Sequence, residues 1–446
     1  ALVTGAAPAF ATEHTETFRM PVEVKGYQVK QEYNFDIARP HVDAHITRMS
    51  TDVVDANGDS VPIKRLMLHH IVFSAYTGRT NAACPAFTSW DSKTTLPGVI
   101  EHLYGAGEEH NQLVLPPGYG VKMDKDKPWL MTWMLMNHRR TADHAFIQWK
   151  VTYDDSPAIT DVHPYWLDIE NCKADPVFDV PGGGKRGSTY KRTYDLTMPE
   201  SGRIVAGGGH VHGGARNLEL SEPDCGNRRL DTLKPAWGLP SHPFYNVRPV
   251  LHEPGPIAVS GFLSAQGFPI AKGQRIRLTA NYDNSRLHTR VMGISMIYVA
   301  PQDVQGCGPM PTDVQEYQTS LPHRTSPPLF RVPLTGLDST GRAVTIQAPP
   351  GRRRDLGHGG VVAVRDFSFS KPNVVVDAGA VVRWTFAPWT IHNVTVADGP
   401  RGFSSPNGNL GAGYAKRLTK PGTYKVFCAL HPVEMTGTIK VRRPGR

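Results

Sequence analysis

The sequence predicts an all-β protein, and three observations support that class. Apolar runs are short and end at turn-forming segments such as DANGDS (55–60) and TKPGTY (419–424). Glycine and proline are frequent, with 43 and 38 residues in a chain of 446. No stretch keeps the apolar period of an amphipathic helix. Because one core seldom serves a chain of this length, we expect roughly two to four domains.

Charge and hydropathy exclude two classes of partner. The net charge is +9, and the basic residues are scattered apart from GRRRD (351–355) and the last few residues. A nucleic-acid-binding surface would require a clustered basic stripe, so we expect no nucleic-acid partner. The chain contains no run of about 18 or more apolar residues, so we predict no membrane span.

The first residues indicate export. Residues 1–11 are mostly small and apolar, and they end in Ala9-Phe10-Ala11, which has the A-x-A form of a signal-peptidase site. We therefore interpret them as the remnant of a signal peptide. A secreted or periplasmic location follows from this interpretation.

Four cysteines remain once Cys428, which lies in a metal motif, is set aside. Four cysteines allow three disulfide pairings, and their spacing does not choose among them. Our working assignment places one disulfide in each of two domains, as Cys84–Cys172 and Cys225–Cys307.

The segment 358–446 contains the clearest chemical signal. Strand-like runs surround four potential metal ligands, which are His392, Cys428, His431 and Met435. A thiolate, two imidazoles and a weak axial thioether are the ligand set of a blue-copper electron-transfer site. The rival interpretation, a structural cysteine among surface histidines, does not explain four ligands in this order. The segment resembles the cupredoxins, such as plastocyanin, pseudoazurin and amicyanin, which implies a Greek-key β-sandwich with one type 1 copper.

Three further histidine groups stand out among the first 300 residues. They are His69 and His70 in LMLHHIVF, His138 in WLMTWMLMNHRR, and His210 and His212 in AGGGHVHGGA. Met292, which precedes a strand, is a further candidate ligand. Alternate residues of a strand share one face, so His210 and His212 can bind one ion. Two imidazoles with a thioether favour copper, whereas three imidazoles suit copper or zinc. We interpret most other histidines, including His252 and His288, as surface residues.

The order of these ligands resembles the copper type II, ascorbate-dependent monooxygenases, which include peptidylglycine α-hydroxylating monooxygenase and dopamine β-monooxygenase. The resemblance covers about residues 18–300 and includes NQLVLPPGYGVKM (111–123) and LTANYDNS (278–285). It implies two tandem jelly-roll β-sandwich domains before the cupredoxin domain. We place these domains at 12–175 and 176–302, and a Pro-rich linker at 303–357.

The resemblance also implies what each ligand does. The electron-supplying copper would lie in the first domain, held by His69, His70 and His138. The catalytic copper, which binds dioxygen and attacks a substrate C–H bond, would lie in the second, held by His210, His212 and Met292. With the blue site this predicts three coppers per chain, two of them type 2-like, with dioxygen as co-substrate. Ascorbate or another external reductant would be the electron donor.

Two positions depart from the peptide-acting member of that family. Gly208 stands where that enzyme has an arginine for the substrate carboxylate, and Met296 stands where it has a tyrosine. We therefore expect a small neutral or aromatic organic substrate instead of a peptide. Two other functions stay open: a non-enzymatic copper-binding or electron-transfer protein, and another multicopper oxidoreductase. The second would call for another Cys-x-x-His loop, which the first 300 residues lack.

Two structural predictions follow from these assignments. Adjacent strand residues point to opposite faces, so His69 and His70 can share one ion only if the strand is distorted there. We expect such a distortion, with both rings converging on His138. The fused blue-copper domain would supply electrons to the first-domain copper, and the linker would either wrap the jelly rolls or act as a tether.

Overall fold

The described residues are almost entirely β-structure. The computed structural model of the protein describes residues 13–76, 84, 100–173 and 175–443. Apart from strands, they contain two short 3-10 helices, Pro223–Cys225 and Pro243–Asn246, so the predicted all-β class is confirmed. Within this described part, no helix is long and apolar enough to cross a membrane. The motif Ala9-Phe10-Ala11 lies outside the described residues.

The first β-sandwich consists of two facing sheets. Its strands are β1 (Glu13–Val24), β2 (Val29–Phe35), β3 (Ala44–Val54), β4 (Leu66–Tyr76), β5 (Ile100–Gly107), β6 (Leu113–Val114), β7 (Tyr119–Met123), β8 (Trp129–Asn137), β9 (Asp143–Asp154) and β10 (Thr160–Asp161). One sheet has the order β1-β9-β3-β7-β10 with β6 on β3, and the other has the order β2-β8-β4-β5. Trp133 and Trp149, one from each sheet, are buried in the shared core.

Strand β4, which carries the two adjacent histidines, is covered on both faces. It pairs with β8 on one side and β5 on the other. Leu68 packs in the core of the first sandwich, whereas the neighbouring Met67 packs in the core of the second. Burial of both faces explains why this strand is a continuous apolar run.

The second β-sandwich contains two main sheets and two smaller ones. Its strands are β11 (His163–Asp168), β12 (Phe178–Val180), β13 (Thr189–Thr197), β14 (Gly202–Val211), β15 (Ala215–Glu222), β16 (Arg228–Leu233), β17 (Pro235–Gly238), β18 (Ala258–Val259), β19 (Gly261–Ile270), β20 (Arg275–Asp283), β21 (His288–Val291), β22 (Gly293–Pro301), β23 (Gln315–Tyr317) and β24 (His323–Arg324). The main sheets have the orders β11-β22-β14-β19-β23 and β13-β20-β15-β16, and the smaller ones β12-β21 and β18-β17-β24. Because β11 pairs with β22, the chain crosses into this sandwich before residue 175.

The first two sandwiches share a buried interface. Ala206 of β14 and Met296 of β22 belong to the same apolar core as Leu68 of β4. The Tyr298 hydroxyl of β22 donates a hydrogen bond of 3.0 Å to the Leu103 carbonyl of β5. The strands of the first and second sandwiches that carry the predicted ligands are therefore packed against each other.

Both pairings of the working assignment are confirmed, but the first bond does not lie within one domain, because Cys172 follows β11 of the second sandwich. Cys84 is bonded to Cys172, and Cys225 is bonded to Cys307. The second bond fastens the start of the segment 303–357 to the second sandwich. Among the described residues, Cys428 alone is a free thiol, and it is buried.

The segment 303–357 wraps the sandwiches and is not a free tether. Its strands β23 and β24 pair with β19 and β17 of the second sandwich. A hairpin of β25 (Thr335–Leu337) and β26 (Ala343–Thr345) follows. The Ala343 amide of this hairpin donates a hydrogen bond of 3.2 Å to the Tyr27 hydroxyl of the first sandwich.

The third β-sandwich also has two sheets. Its strands are β27 (Arg354–Asp355), β28 (Gly359–Arg365), β29 (Ser368–Phe369), β30 (Asn373–Asp377), β31 (Val381–Phe386), β32 (Thr395–Asp398), β33 (Gly413–Arg417), β34 (Gly422–Cys428) and β35 (His431–Arg442). The sheets have the orders β27-β30-β35-β34-β32 and β29-β28-β31-β33. Trp384 and Tyr424 fill the core between them.

Polar contacts dock the third sandwich on the second. Asp179 accepts hydrogen bonds from the amide of Ser404 at 2.6 Å and from its hydroxyl at 2.8 Å. The Thr289 hydroxyl donates to the Val396 carbonyl at 2.9 Å. The third sandwich is thus held beside β21, the strand that leads to Met292.

Candidate metal centres

The predicted ligands of the third sandwich come from neighbouring strand ends. His392 precedes β32, Cys428 ends β34, His431 begins β35, and Met435 lies further along β35. The Cys428 Sγ lies 3.5 Å from the His431 Nδ1 and 3.9 Å from the His392 Nδ1. His431 is half-buried, and the other three side chains are fully buried.

These separations fit a single metal ion. Sulfur at about 2.3 Å and nitrogen at about 2.0 Å from an ion lie about 3.5–3.7 Å apart at ordinary bond angles. The Asn393 amide donates to the Cys428 Sγ at 3.4 Å. Burial raises the pKa of the Cys428 thiol, so a bound cation would be needed to hold the thiolate. Burial also lowers the pKa of His431 to about 4, which keeps its imidazole neutral and able to bind metal.

Strand β4 is distorted where its two adjacent histidines lie. Its pairing with β8 shifts register between Leu68 and His70, so His69 and His70 need not follow strict alternation. Their Nδ1 atoms lie 3.0 Å apart. Two nitrogens at that distance subtend about 97° at an ion about 2.0 Å from each, which is an ordinary angle. The predicted distortion is confirmed, and both rings can reach one ion.

His210 and His212 form a second imidazole pair at the end of β14. Their Nε2 atoms lie 3.0 Å apart. The His210 Nδ1 donates to the Glu109 carboxylate at 2.9 Å, which leaves its Nε2 lone pair for a metal. Asn111 donates to the same carboxylate at 3.2 Å and also to the Gly209 carbonyl. A loop of the first sandwich therefore orients a ligand of the second.

Tyr282 links the backbones of two other predicted ligands. Its phenol oxygen accepts a hydrogen bond of 3.1 Å from the His212 amide, and its hydroxyl donates to the Met292 carbonyl. Tyr282 is fully buried and lies within the LTANYDNS segment. Met292 lies between β21 and β22 and is 7% exposed. One buried phenol thus fixes the spacing between His212 and Met292.

The two imidazole pairs lie side by side. The ring centroid of His69 lies 5.2 Å from that of His70, 5.0 Å from that of His212 and 5.1 Å from that of His252. We call His69, His70, His210, His212 and His252 the histidine cluster. The sequence predicted two ligand sets in two domains, and the domain interface brings these sets into contact.

The structure does not gather His138 with the ligand atoms around His69. The His138 Nδ1 donates to the Pro249 carbonyl at 2.9 Å, and its buried Nε2 has no hydrogen-bond partner among the described residues. The group whose ligand atoms lie within 4.8 Å of one another is His69, Glu108 and His252. Convergence of His138 with His69 and His70 therefore stays a prediction.

Sequence reasoning missed His252, which it treated as a surface residue. The His252 Nε2 contacts the Glu108 carboxylate across 144 positions of the sequence. No local motif could mark this pair, because tertiary folding alone joins the two loops. His288 was also taken as a surface residue, but it is fully buried, and its Nδ1 donates to Glu253 at 2.8 Å.

Burial keeps most of the cluster neutral. It lowers the pKa of His70 to about 4, and it lowers the pKa of His69 and His212 well below the usual value. Burial would also lower the pKa of His210, but the Glu109 carboxylate raises it above its usual value. Because neutral imidazole is the metal-binding form, His69, His70 and His212 can bind cations near pH 7.

A cavity of about 210 Å³ borders the cluster on one side. His70, His210 and Met292 lie in its wall, and so do five aromatic side chains, Tyr33, Tyr104, Trp166, Tyr298 and Tyr317. We call it the aromatic cavity. Gly208 also lines it, and a Cβ atom at that position would meet only the Tyr317 hydroxyl, at 3.9 Å.

A second cavity, of about 250 Å³, lies between the cluster and the third sandwich. One wall contains His69, His70 and His212. The other contains Phe427 and Ala429, the two neighbours of Cys428 in sequence. We call it the junction cavity, because it separates the cluster from the ligand loop of the third sandwich.

Comparison with known proteins finds similarity for the third sandwich. Residues 360–442 match the family of copper binding proteins described as plastocyanin/azurin. An oxidized amicyanin variant of known structure is 26% identical over 18% of this chain and 80% of its own, with a TM-score of 0.17. A reduced amicyanin variant is 25% identical over 19% and 83%, with a TM-score of 0.18. A purple cupredoxin from Nitrosopumilus maritimus is 24% identical over 18% and 98%, with a TM-score of 0.17.

No curated protein matches the chain. The family match contains all four predicted ligands of the blue site, and it does not extend to residues before 360. The predicted cupredoxin is thereby confirmed. The third sandwich is a cupredoxin-like copper-binding domain.

Proposed function

We propose that the protein is an exported copper-dependent monooxygenase that hydroxylates a C–H bond with dioxygen. The observation that carries this proposal is the position of His210 and Met292 in the wall of the aromatic cavity, with His212 paired to His210. Two imidazoles and a thioether suit copper that cycles between two oxidation states. Copper bound there would supply electron transfer and dioxygen reduction.

The protein's own part is to hold these ligands in place. Glu109 fixes the tautomer of His210 by accepting its Nδ1 proton, and Asn111 holds Glu109. Tyr282 sets the distance between His212 and Met292. Such supporting contacts orient metal ligands and tune their affinity. Their presence around His210, His212 and Met292 supports a built site over a chance grouping.

The aromatic cavity supports a small neutral or aromatic substrate. His102 stacks near Trp166, with ring centroids 4.2 Å apart, and burial lowers the pKa of His102 to about 3, so it is neutral. Gly208 leaves its part of the wall open instead of presenting a cation. A ring or other apolar group would fill this space by burying its surface against aromatic side chains.

The cupredoxin domain is the proposed internal electron donor to the histidine cluster. Phe427 and Ala429 flank Cys428 and face the cluster across the junction cavity. The wrapped segment 303–357 and the Asp179–Ser404 contacts hold the two centres in a fixed relation. Ascorbate or another external reductant would reload the cupredoxin. The two disulfides support export, because they persist in oxidising compartments.

Copper counting combined with oxygen uptake tests this function. We expect three coppers per chain, of which one is blue, and uptake of dioxygen that depends on a substrate. His212→Ala should remove copper without loss of the blue colour and should abolish that uptake. Copper confined to the third sandwich would contradict the proposal.

A non-enzymatic electron-transfer protein is the second candidate. The family match favours it, because residues 360–442 match a family of copper binding proteins and contain the predicted ligands of a blue electron-transfer site. In this case the cluster would bind copper and relay electrons. Full copper loading without substrate-dependent oxygen uptake, across a panel of small aromatic compounds, would favour this candidate.

A further inference from the structure

His252 and Glu108 form a buried pair that no predicted copper site uses. His252 lies in the loop between the 3-10 helix Pro243–Asn246 and β18, and Glu108 follows β5. The His252 Nε2 contacts one Glu108 carboxylate oxygen, and the Gly255 amide donates to the other at 2.9 Å. The side chains of His252 and Glu108 are only 16% and 7% exposed. A carboxylate so deeply buried needs a cationic partner.

His69 completes a three-residue group with this pair. The His69 Nε2 lies 3.9 Å from the Glu108 carboxylate, and the ligand atoms of all three residues lie within 4.8 Å of one another. Two donors of one ion, each about 2.1 Å from it, can be at most about 4.2 Å apart, so 3.9 Å is compatible with a shared ion. A direct hydrogen bond between His69 and Glu108 is too long at that distance.

Two ring nitrogens beside this group have no assigned partner. The His252 Nδ1 and the His138 Nε2 are both buried without a hydrogen bond to the described residues. His138 lies against the loop that carries His252, because its Nδ1 donates to the Pro249 carbonyl of that loop. Buried ring nitrogens are almost always paired with protein, water or metal. Each of these two nitrogens therefore requires a partner that the described residues do not supply, either water or a cation.

The two nitrogens of His69 serve different neighbours. Its Nδ1 lies 3.0 Å from the His70 Nδ1, where the predicted electron-supplying copper would bind. Its Nε2 faces Glu108 and His252 on the other edge of the ring. His69 is thus positioned at the junction of two ligand sets, and it can serve either set or bridge them.

We propose that Glu108, His252 and the Nε2 of His69 form a metal site for a divalent first-row transition ion, copper(II) or zinc. Two imidazoles and a carboxylate are hard-to-borderline donors that suit these ions. The site goes beyond the proposed function, because it lacks a thioether and shares only His69 with the predicted copper sites, and its ion is counted in addition to the three proposed coppers. It would hold an ion next to the histidine cluster and balance the Glu108 charge.

Metal stoichiometry of the full-length protein tests this site. The stripped protein is loaded with zinc or with copper(II), and bound metal is counted after gel filtration. We expect His252→Ala to bind one equivalent fewer than the wild type, and Glu108→Gln to bind that equivalent at least ten-fold more weakly. In the copper-loaded samples the blue absorption of the cupredoxin should be unchanged in both variants, which counts that one site independently.

His163→Ala is the matched control. His163 is also a part-buried histidine paired with a glutamate, at 2.6 Å from Glu200, but it lies outside the histidine cluster. It should keep the wild-type stoichiometry. If His252→Ala does not fold, Glu108→Gln decides the question, because the amide keeps the size of the side chain. Wild-type stoichiometry and affinity in a folded Glu108→Gln variant would overturn the proposal.

This outcome is separable from the proposed function. Loss of oxygen uptake in His212→Ala reports on the predicted catalytic ligands, whereas the Glu108→Gln experiment reports on bound metal without turnover. A protein with no monooxygenase activity can still bind this ion, and an active monooxygenase can lack it.

Discussion

At the residue scale, the candidate site depends on buried groups that orient ligands without binding metal themselves. Tyr282 is the clearest case, because it is the one link between the backbones of His212 and Met292 that the structure describes. Glu109 plays the same part for His210. Their effects should therefore be visible in metal affinity more than in the fold.

Replacing Tyr282 by phenylalanine should weaken copper binding at His212 and Met292. The change leaves a buried amide and a buried carbonyl without their shared partner, which costs about 1–3 kcal/mol, and loss of such a support lowers metal affinity about 10–100-fold. Copper titration of the stripped protein measures this. Tyr298→Phe is the control, because its buried hydroxyl bonds the Leu103 carbonyl away from the ligands. Equal copper affinity in both variants would contradict the role of Tyr282.

Asp168 should make the fold less stable as the pH rises from 4 to 6. Burial raises its pKa to about 6, above the usual value of 3.8, so the folded state binds a proton that the unfolded state has already released. The stability present below pH 4 is therefore lost through this window. We expect Asp168→Asn to flatten the dependence of the melting temperature on pH in metal-free protein. Parallel curves for variant and wild type would show that Asp168 does not titrate in this way.

At the element scale, two strands decide the geometry of the site. The register shift in β4 brings the Nδ1 atoms of its two histidines within 3.0 Å of each other, and Gly208 of β14 leaves space at the aromatic cavity. The motif His-x-His predicted a shared face for His210 and His212, and this pair does meet. The adjacent pair required a distortion at residues 69–70, and the register shift between Leu68 and His70 confirms it.

Gly208→Leu should fill the aromatic cavity and exclude substrate. A side chain at this position enters open space, so the fold and the copper content should be kept while substrate-dependent oxygen uptake falls at least ten-fold. Oxygen uptake and copper counting on the same sample measure both. Gly413→Leu is the control, since a Cβ there meets only the Trp384 carbonyl at 3.8 Å, in the third sandwich. Unchanged uptake in Gly208→Leu would place the substrate elsewhere.

At the scale of the whole molecule, the three sandwiches are arranged so that predicted metal ligands from all of them lie around one region. The junction cavity has the histidine cluster on one wall and the neighbours of Cys428 on the other. The segment 303–357 and the Asp179–Ser404 contacts hold this arrangement. Electron transfer within the chain would then not depend on the diffusion of a tethered domain.

Cys428→Ser should remove the blue colour and slow turnover. If the cupredoxin supplies the electrons, steady-state turnover with the external donor should fall at least ten-fold. A single turnover of protein that has been reduced beforehand should keep its rate, because the ligands of the cluster are untouched. Steady-state rates equal to those of the wild type would end the electron-donor hypothesis.

The sequence by itself determined the all-β class, the blue-copper ligands and the order of the histidine groups. These features are local, because turn-forming residues, strand alternation and a compact Cys-x-x-His loop can each be recognised within a short segment of the sequence. Only the tertiary structure decided which groups meet. It joined His252 to Glu108 across 144 positions of the sequence and brought His69 beside His212. It also packed the segment 303–357 against the sandwiches. Contacts between sandwiches depend on how two buried surfaces fit together, and no local pattern encodes that fit.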